Sequence, residues 1–149
     1  MSASNAFESD LLLLIFNNTN IANLGDATGI RGSTTAGSLF IALHTADPGE
    51  AGTQTTSEAA YTGYARVAVA RSAAGFTVSG TAPTQVVNVG AVTFGLCTAG
   101  TETETHFSIG RDASGAGEIL LSGPLTSSLA VSNGITPSFA AGQLVATVD

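Results

Sequence analysis

Lysine and tryptophan are both absent from this chain of 149 residues. Its side-chain cations are Arg31, Arg66, Arg71 and Arg111, set against 11 carboxylates for a net charge of −7 with both histidines neutral. Phosphate recognition needs clustered cations that displace condensed counterions, and only Arg66 and Arg71 lie close in sequence. Direct binding to nucleic acid is therefore not expected, and neither is docking on an anionic membrane. Charged residues make up 10% of the chain, against about 25% in an average soluble domain. Thr, Ser, Gly and Ala take their place, leaving few of the charges that ordinarily keep sheet edges from pairing. Two explanations stay open: this is simply the composition of a Thr/Ala-rich β-protein, or partners cover much of its surface.

Cysteine is nearly absent too. The single thiol, Cys97, excludes an intrachain disulfide framework, and at the end of an apolar run it reads as a small buried hydrophobe. No long apolar stretch is present. The longest, Leu11 to Phe16, is too short to span a bilayer. It follows Glu8 and Asp10 with no basic residue before Arg31, so it does not read as a secretory signal. Folding in a cytoplasm is expected.

What is present is one helix and then β grammar. Asn5 with Glu8 fits a polar N-terminal cap, and Phe7, Leu11 and Leu14 or Ile15 recur at helical spacing. Asn17, Asn18 and Asn20 end the helix, since short amides compete for backbone hydrogen bonds; Ile21 to Leu24 is read as one further turn. Asp26 to Gly37 is Gly/Thr/Ser-rich and reads as loop. Ser38 to Thr45 is apolar on both faces, as in a strand covered on each side. Asp47-Pro48-Gly49 supplies a turn, and Gly49 to Thr62 is a long polar excursion. Further strands are expected at Tyr64 to Arg71, Gly75 to Ser79, Val86 to Leu96 (bent at Gly90 and Gly95), His106 to Gly110, Glu118 to Ser122, Leu129 to Ser132 and Leu144 to Val148. Asn133-Gly134 is the strongest tight-turn dipeptide, and Pro137 confines its strand to a sheet edge. Short strands at this spacing predict a mainly β fold, a jelly-roll-like antiparallel β-sandwich with one short N-terminal α-helix. No repeat and no linker divides it. A single domain over 1–149 is expected, with a helical arm at 1–24 and the sandwich at 38–149.

Chemistry has few places to reside. His44, Asp47 and Glu50, with Glu104 and His106, have the residue types of a metal site. Such ligands need ordered neighbouring elements and supporting contacts, however, and Asp47 is accounted for by its turn. Both histidines fall inside strands and are read as cross-strand neighbours or interface residues. A serine paired with His44 lacks the G-x-S-x-G elbow that would expose it, and Cys97 with His106 lacks any surrounding motif. Glu102 and Glu104 alternate with Thr101, Thr103 and Thr105 and are read as a solvated strand end. Gly115 and Gly117 lie in a hairpin-like turn without a phosphate-loop lysine. Asn17-Asn18-Thr19 is a glycosylation sequon with no secretion to give it meaning. No catalytic, cofactor-binding or metal-binding residue is expected, and no enzymatic activity.

The block SLFIALHTADPGEAGTQTTSEAAYTGYARVAVAR at Ser38 to Arg71 resembles a family of small tailed-bacteriophage virion proteins. Its pieces are Leu39 to Glu58 and Tyr61 to Arg71, joined by the helix motif at Asn5 to Asn17, HFSIG at His106 to Gly110 and SNGITPSFAAG at Ser132 to Gly142. The resemblance implies a structural virion protein. Some members resemble capsid cement, or decoration, proteins; others carry a tail-fibre label. On the first reading the protein lies on the exterior of the capsid, binds the major capsid protein and itself as a homodimer, and uses mobile segments such as Gly49 to Thr62 to lie across neighbours. The alternative is a tail or tail-fibre component involved in attachment.

Overall fold

Strand β1, Ser38–His44, shows why the chain folds as it does. Its side chains are apolar on both sides of the pleat, and the fold covers both: Leu39, Ile41, Leu43 and His44 are 5, 0, 2 and 0% exposed. In the computed structural model, which describes residues 3–25, 29–80 and 84–148, β1 is the first of nine strands among the described residues, preceded by one helix. The protein is mainly β, with antiparallel sheets and an N-terminal helix, as the sequence predicts. No helix among the described residues is long and apolar enough to cross a membrane.

The chain forms two compact units, the first from residues 1–38, 70–91 and 140–149, the second from 39–69 and 92–139. The first holds α1, Asn5–Asn17, and a three-stranded sheet of β3 (Phe76–Ser79), β4 (Thr84–Asn88) and β9 (Val145–Val148), in the order β3-β4-β9. Phe76 sits opposite Asn88, and Val87 opposite Val145. Helix α1, within the expected 1–24 arm, packs on β3 and β4. Its cap is Ser4, one residue before Asn5, with the Ser4 hydroxyl accepting from the amide of Phe7. The buried face also differs from the expected one. Glu8, Leu12 and Phe16 point inward, and Phe16 meets Phe76 edge-on with ring centroids 5.0 Å apart. Phe7 is 43% exposed. Every residue from Leu11 to Phe16 is apolar, so periodicity alone does not select a face; the Glu8 carboxylate selects it by accepting a hydrogen bond from Thr84 at 3.2 Å.

Asn18 ends the helix in the left-handed conformation (φ 58°) that short amides tolerate. Ile21 forms an antiparallel bridge with Ile30, and the turn expected over Ile21 to Leu24 falls just after it, at Ala22 and Asn23. Within the expected loop, Asp26 to Thr28 lie outside the described residues, while Asn18 and Asn20 hold Ser33 and Gly32 by their side chains. The C-terminal turn of α1 carries no basic residue of its own. Arg71 supplies one. Its Nε donates to Ile15 O at 2.6 Å, Nη2 to Leu14 O at 2.7 Å and Nη1 to Ser33 Oγ at 3.1 Å. A cation on the final carbonyls suits both their unmet acceptors and the negative end of the helix dipole. Arg71→Ala should therefore lower stability by about 2–4 kcal/mol, the range for several charge-assisted hydrogen bonds lost together. Arg71→Lys should recover only part, because an ammonium lacks the planar fork. Urea unfolding followed by circular dichroism reads the difference, and a loss below about 0.5 kcal/mol, ordinary for a surface site, would show the contacts to be idle.

The second unit contains a four-stranded sheet in the order β2-β1-β6-β7, with β2 at Val67–Ala70, β6 at Thr101–Gly110 and β7 at Ile119–Ser132. Strand β7 joins the two strands expected at Glu118 to Ser122 and Leu129 to Ser132. The seam shows in the register, where Glu104 faces Leu129 but His106 faces Pro124. The single strand expected at Val86 to Leu96 is instead two, β4 and β5 (Val92–Thr93). A bend at Val89 and Gly90 divides them. Strand β5 pairs with β8 (Ser138–Phe139), directly after Pro137. Asn133-Gly134 makes its turn, closed by the Ile135 amide on Ser132 O. Gly63 and Gly95 cross so closely that a Cβ on either would collide with the carbonyl of Leu96 or Gly63. Rings of Tyr61, Tyr64, Phe94, Phe139 and Phe107 succeed one another at centroid distances of 5.4 to 6.2 Å, in geometries that favour aromatic pairs.

Candidate functional site

Several of the residues singled out for chemistry lie buried in the second unit, and His44 heads a polar network there. His44 ends β1 and His106 lies directly opposite it on β6. His44 is fully buried, its Nδ1 2.8 Å from Thr56 O and its Nε2 2.8 Å from Ser108 Oγ. A carbonyl only accepts, so Nδ1 carries the proton and Nε2 accepts from Ser108. Burial lowers the His44 pKa from its ordinary 6.5, which keeps that neutral tautomer. The serine–histidine pair weighed from the sequence thus exists as Ser108 and His44. Both members have no exposed surface, and no substrate carbonyl can approach the hydroxyl. The pair ties β1, β6 and the segment around Thr56 together.

Glu58, Tyr64 and Arg66 form the second part. Arg66 donates twice to Glu58, Nε to Oε1 at 2.6 Å and Nη2 to Oε2 at 2.7 Å, the fork geometry that makes such pairs strong. Arg66 also donates to Asp112 O at 2.9 Å and Gly115 O at 2.8 Å. Tyr64 donates to Glu58 and accepts from the Leu43 amide. Burial pushes the Tyr64 pKa upward, so the phenol remains a donor. Gln54 is fully buried with its Oε1 accepting from the Asp112 amide. A Cβ at Gly110 or Gly117 would strike the Gln54 side chain. That fit accounts for Gly117 as packing against Gln54 rather than cradling phosphate.

The excursion from Gly49 to Thr62 is consequently not the mobile segment expected. Gln54 N bonds to Gly117 O, Thr45 N to Ser57 O, Ala59 N to Leu43 O and Thr62 N to Ala99 O. Its polarity serves internal partners. Asp47 does what its turn requires, accepting from the Gly49 amide at 2.9 Å. Glu50 is exposed and takes no part in the cluster. Among the described residues, no three His, Cys, Asp or Glu side chains are placed to hold a metal ion. Cys97 is buried, its thiol directed at the carbonyls of Ala99 and Gly100.

Glu102 and Glu104 overturn the solvated-strand reading. Glu102 accepts from the amides of Ala60 and Tyr61 at 2.9 and 3.0 Å. Glu104 is 0% exposed and neither of its oxygens meets a donor. Burial first, then the Glu102 carboxylate beside it, push its pKa up to about 8. A proton held on Glu104 lets it donate to Glu102, turning repulsion between two carboxylates into a hydrogen bond. Burial, joined by the same two carboxylates, raises Tyr61 to about 12. Sequence alternation puts Glu102, Glu104, His106 and Ser108 on one face of β6, and a polar row ordinarily signals solvent. Here that face is covered.

These contacts describe a scaffold held together by internal polar contacts, although Gln54 Nε2 finds no acceptor. A family model described as podophage GP4 fiber I protein gp80 matches residues 2–147. The chain belongs to that family. No curated protein matches it. Membership of the gp80 family makes this a bacteriophage structural protein and a component of the virion. The family match spans the segments that carry the sequence resemblance, among them Tyr61 to Arg71, where Tyr64, Arg66 and Arg71 make their internal staples.

Proposed function

We propose that this protein is a fibre subunit of a podophage tail with a structural rather than a sugar-binding role. The observation that carries the reading is the match of residues 2–147 to a fibre protein family; it favours the tail component kept as the alternative over the capsid decoration expected first. Support for a structural role comes from the aromatic residues. Stacking on a sugar needs an exposed ring, and Phe7 alone of the seven Phe and two Tyr is more than about a third exposed. Tyr61 and Tyr64 instead spend their hydroxyls on Gly95 O and Glu58. Of the four arginines, Arg66 and Arg71 serve internal carbonyls and carboxylates, while Arg111 lies 3.1 Å from Glu118. A surface so poor in cations favours protein neighbours over a nucleic acid.

Particles lacking this protein separate the two locations. A fibre subunit predicts DNA-filled heads that withstand heating, with fibres missing and adsorption to host cells reduced at least tenfold. Purified protein added back should label the tail in electron micrographs. Heads that release DNA on heating, together with label over the capsid and on its major protein, would return the assignment to capsid decoration.

A further inference from the structure

Strand β7 is the outermost strand of its sheet, with β6 on one side and no strand on the other among the described residues. Its 14 residues, ILLSGPLTSSLAVS, contain no charged side chain. Long bare edges template further pairing, and proteins usually guard them with lysine, inward charge, proline or bulges. Here the guards are Pro124, the register slip beside it and a second slip between Ile119 and Leu121, which leave two regular runs, Leu121 to Gly123 and Leu129 to Ser132. The core-side row of the strand is also incompletely covered. Ile119, Leu121, Leu125 and Leu129 are only half-buried, whereas Leu39, Ile41 and Leu43 of β1, flanked by strands on both sides, are 5, 0 and 2% exposed. A strand laid along β7 would supply both the missing hydrogen bonds and the missing cover.

We infer that β7 is the seam through which two copies of this chain join, edge to edge and antiparallel across a two-fold axis. The seam offers no charge by which a basic or acidic partner would be recognised, but it matches itself. Each copy carries −7, so identical chains can meet only where carboxylate does not face carboxylate. Antiparallel pairing meets that condition. Glu118, just before β7 and already bridged to Thr53 of its own copy, then lies near the uncharged Asn133-Gly134 end of the other copy. The two Glu118 side chains are separated by roughly the strand length, about 45 Å at 3.3 Å per residue, well beyond a Debye length of about 8 Å. An axis perpendicular to the sheet, near Leu125 and Thr126, keeps the core-side rows on one side, so each copy's half-buried leucines extend the other's row. Such an interface is self-complementary and closes at two copies. The seam is independent of whether the protein sits on head or tail.

Light scattering on the purified full chain should give the mass of a dimer. Thr126→Cys, exposed beside the axis, should oxidise to a covalent dimer, while Ala113→Cys, exposed in the turn before β7 and far along the strand from the axis, should not; Cys97 is buried and stays out of the reaction. Leu121→Lys with Leu129→Lys, charges pointing inward along the edge, should abolish the dimer peak while the circular dichroism spectrum is kept. Should that pair unfold the chain, the Thr126→Cys cross-link decides alone. A monomer at the highest soluble concentration, a trimer, or a dimer that Thr126→Cys fails to cross-link would overturn the seam.

Discussion

Glu104→Gln is expected to stabilise the protein in alkaline solution and to leave its stability unchanged in mild acid. Glu104 is raised from 4.5 to about 8 in the folded chain and returns to an ordinary value on unfolding. Between those two pH values the folded chain holds a proton that the unfolded chain has released. Stability therefore falls as pH rises through that window and levels off above it. The full loss is on the order of 3–5 kcal/mol, taking about 1.4 kcal/mol for each pH unit between the two values as an upper bound. A glutamine never ionises and its amide donates to Glu102, so the variant should escape the loss. His44 works in the opposite sense: burial lowers its pKa, so its share of stability is lost as pH falls below about 6.5, its ordinary value. Comparing variant and parent at each pH removes that contribution. Urea midpoints at three or four pH values check the prediction, and parallel curves for the two proteins would show that Glu104 is not the titrating group.

Much of the β framework was legible because local rules and burial agree there. A strand apolar on both faces predicted the doubly covered β1, and Asp47-Pro48-Gly49 and Asn133-Gly134 predicted their turns. The features that escaped the sequence have one physical origin: a side chain's environment is decided by residues far along the chain. The run Leu11 to Phe16 offers several apolar faces, and only Thr84, 76 residues after Glu8, singles one out. Arg71 finds the end of a helix 56 residues earlier. The excursion from Gly49 to Thr62 is polar for Gly117, Glu102 and Arg66 rather than for water. The same ambiguity hid the site. Glu102, Glu104, His106 and Ser108 form a polar row by strict alternation, but the pattern does not say which face of β6 is covered. The sequence reads the two carboxylates as a solvated strand end; the cue within reach is that they share a face with a histidine and a serine, an arrangement that suits a buried network. Ser108 alone gave no separate signal.

The Arg66–Glu58 pair should carry the largest single side-chain contribution of the second unit. The Arg66 side chain is 2% exposed and that of Glu58 16%, so neither ion recovers water when its partner is removed. Arg66→Met keeps the volume and deletes the charge. It leaves Glu58 unpaired and strips donors from the carbonyls of Asp112 and Gly115, and breaking a buried pair from one side costs about 3–5 kcal/mol. Arg66→Lys should regain less than half of that, since one ammonium cannot bond both carboxylate oxygens and both carbonyls. Pairing Arg66→Met with Glu58→Gln should be milder than Arg66→Met alone, because it removes the stranded charge while leaving an acceptor for Tyr64. The deficit from adding the two single effects then measures their coupling, expected at about 1–3 kcal/mol for groups in direct contact. A second readout locates the damage. Protease should cut the 49–62 segment in Arg66→Met faster than in the parent, since Arg66 helps hold its Glu58 end against the 112–115 turn. Additive stability losses, with that segment still resistant to protease, would mean that the segment is held by its backbone bonds and that the ion pair adds nothing to them.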